Sequence, residues 1–193
     1  ERRHRELVER KLTGEKLAVV GFDGTATQAL AAKGLNVVKG WPLMLEATKT
    51  KTVDEINCLK MAYAITDNAW HKTWDLLRPG VSDVWVAQQS MLAAYEAGAD
   101  TVPRGHIRTG PNSYDRGIDH TGRIVQHGDL AYTAYCGVGY MGYHTCYYRT
   151  FSVGKTPERK VQDWYKALIE RMDAIIDAIK PGATTADAAK HFP

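Results

Sequence analysis

The chain has 193 residues, of which 44% are hydrophobic and 24% charged, and its net charge is +3. That is the make-up of a globular chain holding one domain or one and a fraction. The charge is too small to argue for nucleic acid, and no run of about 18 apolar residues offers a membrane span.

Three cysteines, Cys58, Cys136 and Cys146, form no CxxC pair. An odd count argues against a disulfide framework and points to a reducing, cytoplasmic setting. The chain opens on Glu1 with no apolar signal region, and reads as part of something longer. Residues 2–11 are expected to be helical. Their run ERRHRELVERK mixes basic residues with three glutamates, which suits a solvated face better than a nucleic-acid patch.

KLAVVGF (16–22) is expected as a short buried strand, ATQALAAKG (26–34) as a helix closed by Gly34, and LNVVKG (35–40) as a second strand. This βαβ-like piece is too short to bury a core of its own. FDGT (22–25) matches half of the Asp-x-Asp-Gly-Thr nucleophile pattern of phosphatases. Gly21 stands where the first aspartate would be, so a turn is expected.

KTKTVDEIN (49–57) opens a long helix to about residue 77, with Asp54 and Glu55 in its first turn, where the helix dipole favours them. Ile56, Leu59, Tyr63, Trp70, Trp74 and Leu77 recur at helical spacing as its core face. Pro79-Gly80 stops it, and Ser82 caps a second helix ended by Gly98. Strands follow at about 104–109, 123–136 and 143–153, the last two around a Gly-rich bend. A long helix at 157–179 takes Pro157 in its first turn and lines Val161, Trp164, Leu168, Met172, Ile175 and Ile179 along one side.

LLRPGVSDVWVA (76–87) and AIKPGATTADAA (178–189) share one pattern. In each, a helix ends at a basic residue, Pro-Gly follows, and a Ser or Thr opens a new helix. We read this as an internal duplication whose second set of strands is expected beyond Pro193.

With KTVDEIN, RPGVSD, TGPN (109–112), GRIVQHGDL (122–130), GY…RTFSVG (142–154) and KPGATTAD, residues 45–193 resemble the creatinase, prolidase and methionine aminopeptidase superfamily. The resemblance implies an α/β (α+β) pita-bread fold, itself an internal duplication. Residues 45–193 would be its first half, and residues 1–44 the tail of the N-terminal domain of the creatinase and prolidase branch. It also implies a homodimer.

Metallopeptidase members of that superfamily hold two divalent metals, in part on two strand aspartates. Here the first position falls at Ala134, or at Thr133 or Tyr135 if the strand is one residue longer, and the second at Cys146. None is a carboxylate, and a pair of hard cations needs oxygen ligands and bridging carboxylates. GRIVQHGD resembles creatinase, which works without metal, so no cofactor is expected. Creatinase has an acid/base histidine in the preceding loop. That position is Gly117 here, and His120 is the nearest replacement, suited to proton transfer near neutral pH.

His127 is expected at the surface. His106 alternates with Arg104 and Arg108 on a strand, and either lines the cleft or faces solvent. His144, Cys146 and Tyr148 share one side of their strand by period-two spacing. They line the cleft as polar groups or simply pack, and Cys146 with His144 is also a candidate nucleophile and base. Arg149 either fixes the sheet or binds a substrate carboxylate. The expected function is metal-free hydrolysis of a C–N bond in a small polar amidino, guanidino or amino-acid-like substrate. The alternatives are a metal-dependent Xaa-Pro dipeptidase or aminopeptidase, and a non-catalytic peptide-binding relative.

Overall fold

The computed structural model describes residues 16–21, 23–114 and 121–192. They fall into two compact units, one ending at Ile56 and one beginning at Asn57. The helix expected at residues 2–11 lies outside the described residues.

In the first unit, strands β1 (Lys16–Val19) and β2 (Asn36–Lys39) pair in parallel, with helix α1 (Gly24–Ala31) as the crossover. The Asp23 carboxylate accepts from the Ala26 N–H at 2.7 Å, so Asp23 caps the helix that begins at Gly24 and is already engaged. A short helix α2 (Trp41–Thr48), with Pro42 in its first turn, was not expected.

Helix α3 (Val53–Leu76) starts four residues later than KTKT suggests. A reciprocal cap fixes that start: the Thr52 N–H donates to Glu55 Oε2 at 2.6 Å, and the Glu55 N–H donates to Thr52 Oγ1 at 3.3 Å. Helix α4 (Asp83–Glu96) begins after Ser82, as expected.

Three antiparallel strands follow, β3 (Arg104–Thr109), β4 (Leu130–Tyr140) and β5 (Tyr143–Ser152), in that spatial order. β4 does not begin near residue 123. Ile124 makes only an isolated bridge to Ser82. The Asp129 carboxylate, ion-paired with Arg123 and accepting from the Gln126 N–H at 2.8 Å, winds residues 123–129 into a turn. The β4–β5 bend is a two-residue turn with Met141 at φ 52° and Gly142 at φ 80°, the left-handed pair that matches strand twist. Residue pairing skips Gly137, so β4 carries a one-residue bulge there. Gly137 has φ 78°, and a Cβ on it would lie 2.6 Å from Pro103 Cγ.

Helices α3 and α4 supply the core against one side of the sheet. One cluster joins Ile65, Ala69, Trp70 and Ala94 to Val102, Tyr135 and Val138. A second joins Val86 and Ala87 to Ile107, Val125, Ala131 and Val153. The buried seam of α3 is Ala62, Ile65, Thr66, Ala69, Trp70 and Thr73; of the expected face Trp70 is in the core and Leu77 packs against it, while Ile56, Tyr63 and Trp74 are exposed. Trp74 is 70% exposed. Small residues at helical spacing let the sheet approach closely. Their hydroxyls stay satisfied because Thr66 and Thr73 donate to the carbonyls one turn back, at 2.7 and 2.8 Å.

Helix α5 (Arg159–Ala178) starts after Glu158, so Pro157 lies just ahead of it. It bears the expected apolar stripe, but none of its residues is buried. Helix α6 (Thr185–Ala189) closes the chain behind a capping box made by Thr184 and Asp187. The two Pro-Gly corners match in detail. Gly80 and Gly182 have φ 92° and 85°, and Ser82 and Thr184 are the next N-caps, as an internal repeat requires.

Candidate functional site

Strand register sorts the sheet's side chains. Arg104 lies opposite Cys136, and Cys136 opposite Cys146. His106, Ala134 and Tyr148 form the next row, and Arg108, Tyr132 and Thr150 the one after. Directly opposed residues share a face, so these rows make one surface. The alternating set, with Tyr135, Tyr147 and Phe151, packs toward α3 and α4. This register puts His106, Cys146 and Tyr148 on one side of the sheet, with the helix-side core on the other.

On that surface the rings run in series. His106 stacks on Tyr132 with centroids 6.1 Å apart, and Tyr132 on Tyr148 at 5.8 Å. The Arg108 guanidinium lies 5.3 Å from the Tyr132 centroid, a cation–π contact. His106 and Arg108 are buried, whereas Tyr148 and Cys146 are exposed. The row therefore runs from a cationic, buried end to an open, thiol-bearing one.

At the open end three polar atoms converge. Cys136 Sγ and Cys146 Sγ are 2.8 Å apart, and Tyr148 Oη lies 3.5 Å from Cys146 Sγ and 3.8 Å from Cys136 Sγ. Burial, and then the hydrogen bond from Cys146, push the Cys136 thiol above its ordinary value. The two cysteine sulfurs, Cys146 first, hold the Tyr148 phenol well above its ordinary value. A hollow of about 650 Å³ opens here, lined by Tyr132, Cys146 and Tyr148 and walled by Tyr165, Leu168 and Met172 of α5. That volume suits a small molecule.

The remaining expected residues lie elsewhere. The His144 ring packs over Gly139, whose Cβ position would be 3.0 Å from it. Arg149 sits over the Tyr147 and Trp70 rings at 4.8 and 5.8 Å and donates to the Tyr148 carbonyl at 2.8 Å. It still borders the hollow, around the edge of β5. His127 is exposed, as expected. His120, the expected proton-transfer group, lies outside the described residues.

Two members of the surface were missed from sequence, Tyr132 and Cys136. Both follow from counting back from the Met141-Gly142 turn and allowing one extra residue at Gly137. That count leads to Cys136 opposite Cys146, a position outside the 133–135 range weighed for the first metal ligand. Tyr135 turns toward the helices, where its hydroxyl is 2.6 Å from Thr73 Oγ1.

The donor set does not fit a pair of hard divalent cations. Among the described residues the surface carries thiols, phenols, an imidazole and guanidinium groups, and none of its three cross-strand rows contains a carboxylate. Among the described residues no three His, Cys, Asp or Glu side chains gather where an ion would sit.

The model of metallopeptidase family M24 matches residues 57–192. The chain belongs to this family. Among curated M24 relatives, a probable dipeptidase PepE of Mycobacterium tuberculosis is 28% identical over 153 residues, 79% of this chain and 40% of that protein. An uncharacterized peptidase, YqhT of Bacillus subtilis, is 28% identical over 72% of this chain and 39% of its own length. The prolidase of Pyrococcus furiosus superposes with a TM-score of 0.82 at 21% identity, over 92% of this chain and 53% of that one. The fold is thus the pita-bread fold of M24 proteins, and the chain spans about two-fifths to half the length of these relatives. Among the described residues no helix is long and apolar enough to cross a membrane.

Proposed function

We propose that the protein to which this M24 segment belongs hydrolyses a C–N bond in a small polar compound of amino-acid size, without ions held beside Cys146. The observation that supports this most is the surface from Arg108 to Cys146. Its Tyr132, Tyr148 and Cys146 line a hollow of about 650 Å³, Arg108 lies against the Tyr132 ring, and none of these residues is a carboxylate. Tyr132 and Tyr148 offer flat faces to a planar amide or amidine group. The protonated Tyr148 hydroxyl donates to a substrate oxygen or nitrogen. Arg149, at the rim, meets a substrate carboxylate. His120 is the proposed proton-transfer residue. A homodimer is proposed as well, checked by sedimentation of the full-length protein.

A second reading is a metal-dependent Xaa-Pro dipeptidase or aminopeptidase, for which the metallopeptidase name of the family and the probable dipeptidase among the relatives speak. One experiment separates the two. The full-length protein is analysed for bound metals and assayed on amidino acids and Xaa-Pro dipeptides, with and without chelator. The proposal expects turnover that survives chelation and falls steeply in His120→Ala. Two ions per chain, with activity lost on chelation, supports the second reading and overturns the first. Binding of these compounds with no turnover points instead to a peptide-binding relative.

A further inference from the structure

We propose that Cys136 and Cys146 are a redox-active dithiol that closes to a disulfide across β4 and β5. This stands apart from the hydrolase proposal, because neither its chemistry nor its test involves turnover.

The two residues are directly opposed in the register, with sulfurs 2.8 Å apart. Directly opposed antiparallel residues have Cα atoms about 4.5–5.5 Å apart, inside the range that a disulfide spans without backbone movement. Small side-chain rotations bring the sulfurs to a bonding distance of about 2.05 Å. The pair exists because the bulge at Gly137 shifts Cys136 into line with Cys146. It is also reachable: Cys146 is exposed and Cys136 half-buried. The remaining cysteine, Cys58, belongs to α3 and is half-buried.

The oxidant is a small peroxide. The Cys146 sulfur, as thiolate, attacks one peroxide oxygen. An S–O bond forms, the O–O bond breaks, and the leaving hydroxide takes a proton to become water. The Cys136 sulfur then attacks the Cys146 sulfenic acid. An S–S bond forms, the S–O bond breaks, the Cys136 proton is released and a second water departs. Two thiols lose two electrons and two protons, and one peroxide becomes two waters. Cys136 suits the second role, because it is less exposed to the oxidant than Cys146 and lies directly opposite it. Tyr148 Oη, within 3.5 Å of Cys146 Sγ, is placed to hydrogen-bond the sulfenic oxygen.

The test uses the full-length protein, treated with hydrogen peroxide, alkylated and digested with trypsin. Both cysteines fall in one tryptic peptide, Ile124–Arg149, with no internal Lys or Arg. The expected product is that peptide two hydrogens lighter and closed to alkylation, with double alkylation restored by dithiothreitol. In Cys136→Ser, dimedone should label Cys146, which has lost its partner. The proposal is overturned if the wild-type peptide stays doubly alkylated while Cys58 is oxidised. It is equally overturned if wild-type Cys146 collects dimedone without bridging, or if either cysteine bridges to a different peptide.

Discussion

Replacing Tyr135 by Phe tests the placement of the strands most directly, because Tyr135 was one of the sequence candidates for a metal-ligand position. In the structure its side chain is fully buried on the helix side. Its ring meets Trp70 edge-on at 4.7 Å, and its hydroxyl is 2.6 Å from Thr73 Oγ1. The hydroxyls form a directed chain. Tyr135 donates to Thr73, Thr73 donates onward to the Ala69 carbonyl or to Ser90, and Ser90 donates to the Val86 carbonyl. Phe keeps the ring contact and removes one buried hydrogen bond. Thr73 and Ser90 keep their own acceptors, so no buried donor is stranded. The cost is then a lost bond plus a partly unsatisfied Thr73 oxygen, about 1–2 kcal/mol. With a urea m-value of about 2 kcal/mol/M, the unfolding midpoint should fall by about 0.5–1 M with the slope unchanged. The turnover proposed for the full-length protein should be untouched. An unmoved midpoint together with lost turnover would place Tyr135 on the cleft side and refute the register described here.

Further outcomes follow from single sites. Asp129→Asn breaks the ion pair with Arg123, whose two side chains are 20% and 10% exposed. It should destabilise by about 2–4 kcal/mol in denaturant titrations, with Arg123→Lys recovering only part. Gly105→Ala places a methyl group 2.6 Å from Met91 Cγ and 2.9 Å from Tyr135 Cδ1. It should cost about 1–3 kcal/mol by overpacking, read as a lowered melting temperature. Alkaline pH should weaken the fold. Burial raises the Tyr135 and Tyr147 phenols above their ordinary value of 10.0, and Asp67 adds to the rise at Tyr147. Above pH 10 the unfolded chain releases these protons while the folded one keeps them, so stability falls as pH rises past 10. Tyr147→Phe should flatten the melting temperature's decline between pH 9 and 11, and an unchanged slope refutes the assignment.

Strands β3 and β5 and helix α4 were legible from sequence because alternation, Pro-Gly stops and N-caps are local signals. The paired Pro-Gly corners announced the repeat for the same reason. The buried face of α3 was not legible. Periodicity favours large residues, whereas close approach of the sheet selected Ala62, Thr66, Ala69 and Thr73, small enough to fit and able to satisfy their own hydroxyls. The start of β4 was hidden because Arg123 and Asp129 form a turn by a side-chain pairing that no residue pattern displays. At the site, the shared side of Cys146 and Tyr148 was readable by alternation within their own strand, whereas alternation left His106 open between cleft and solvent. Cys136 and Tyr132 were missed, because assigning them needs the pairing between strands, and that pairing depends on one unpaired glycine.

That glycine also decides which side chains the surface offers. Were Gly137 deleted, Val138 and Cys136 would simply follow one another opposite Thr145 and Cys146, and the ladder would stay in place. Were Gly137 instead drawn into the ladder opposite Cys146, Cys136 would meet Tyr147 and turn inward against the helices, and Tyr135 would swing out into the cleft. One residue held out of the pairing thus chooses between two sets of chemical groups on the same strand.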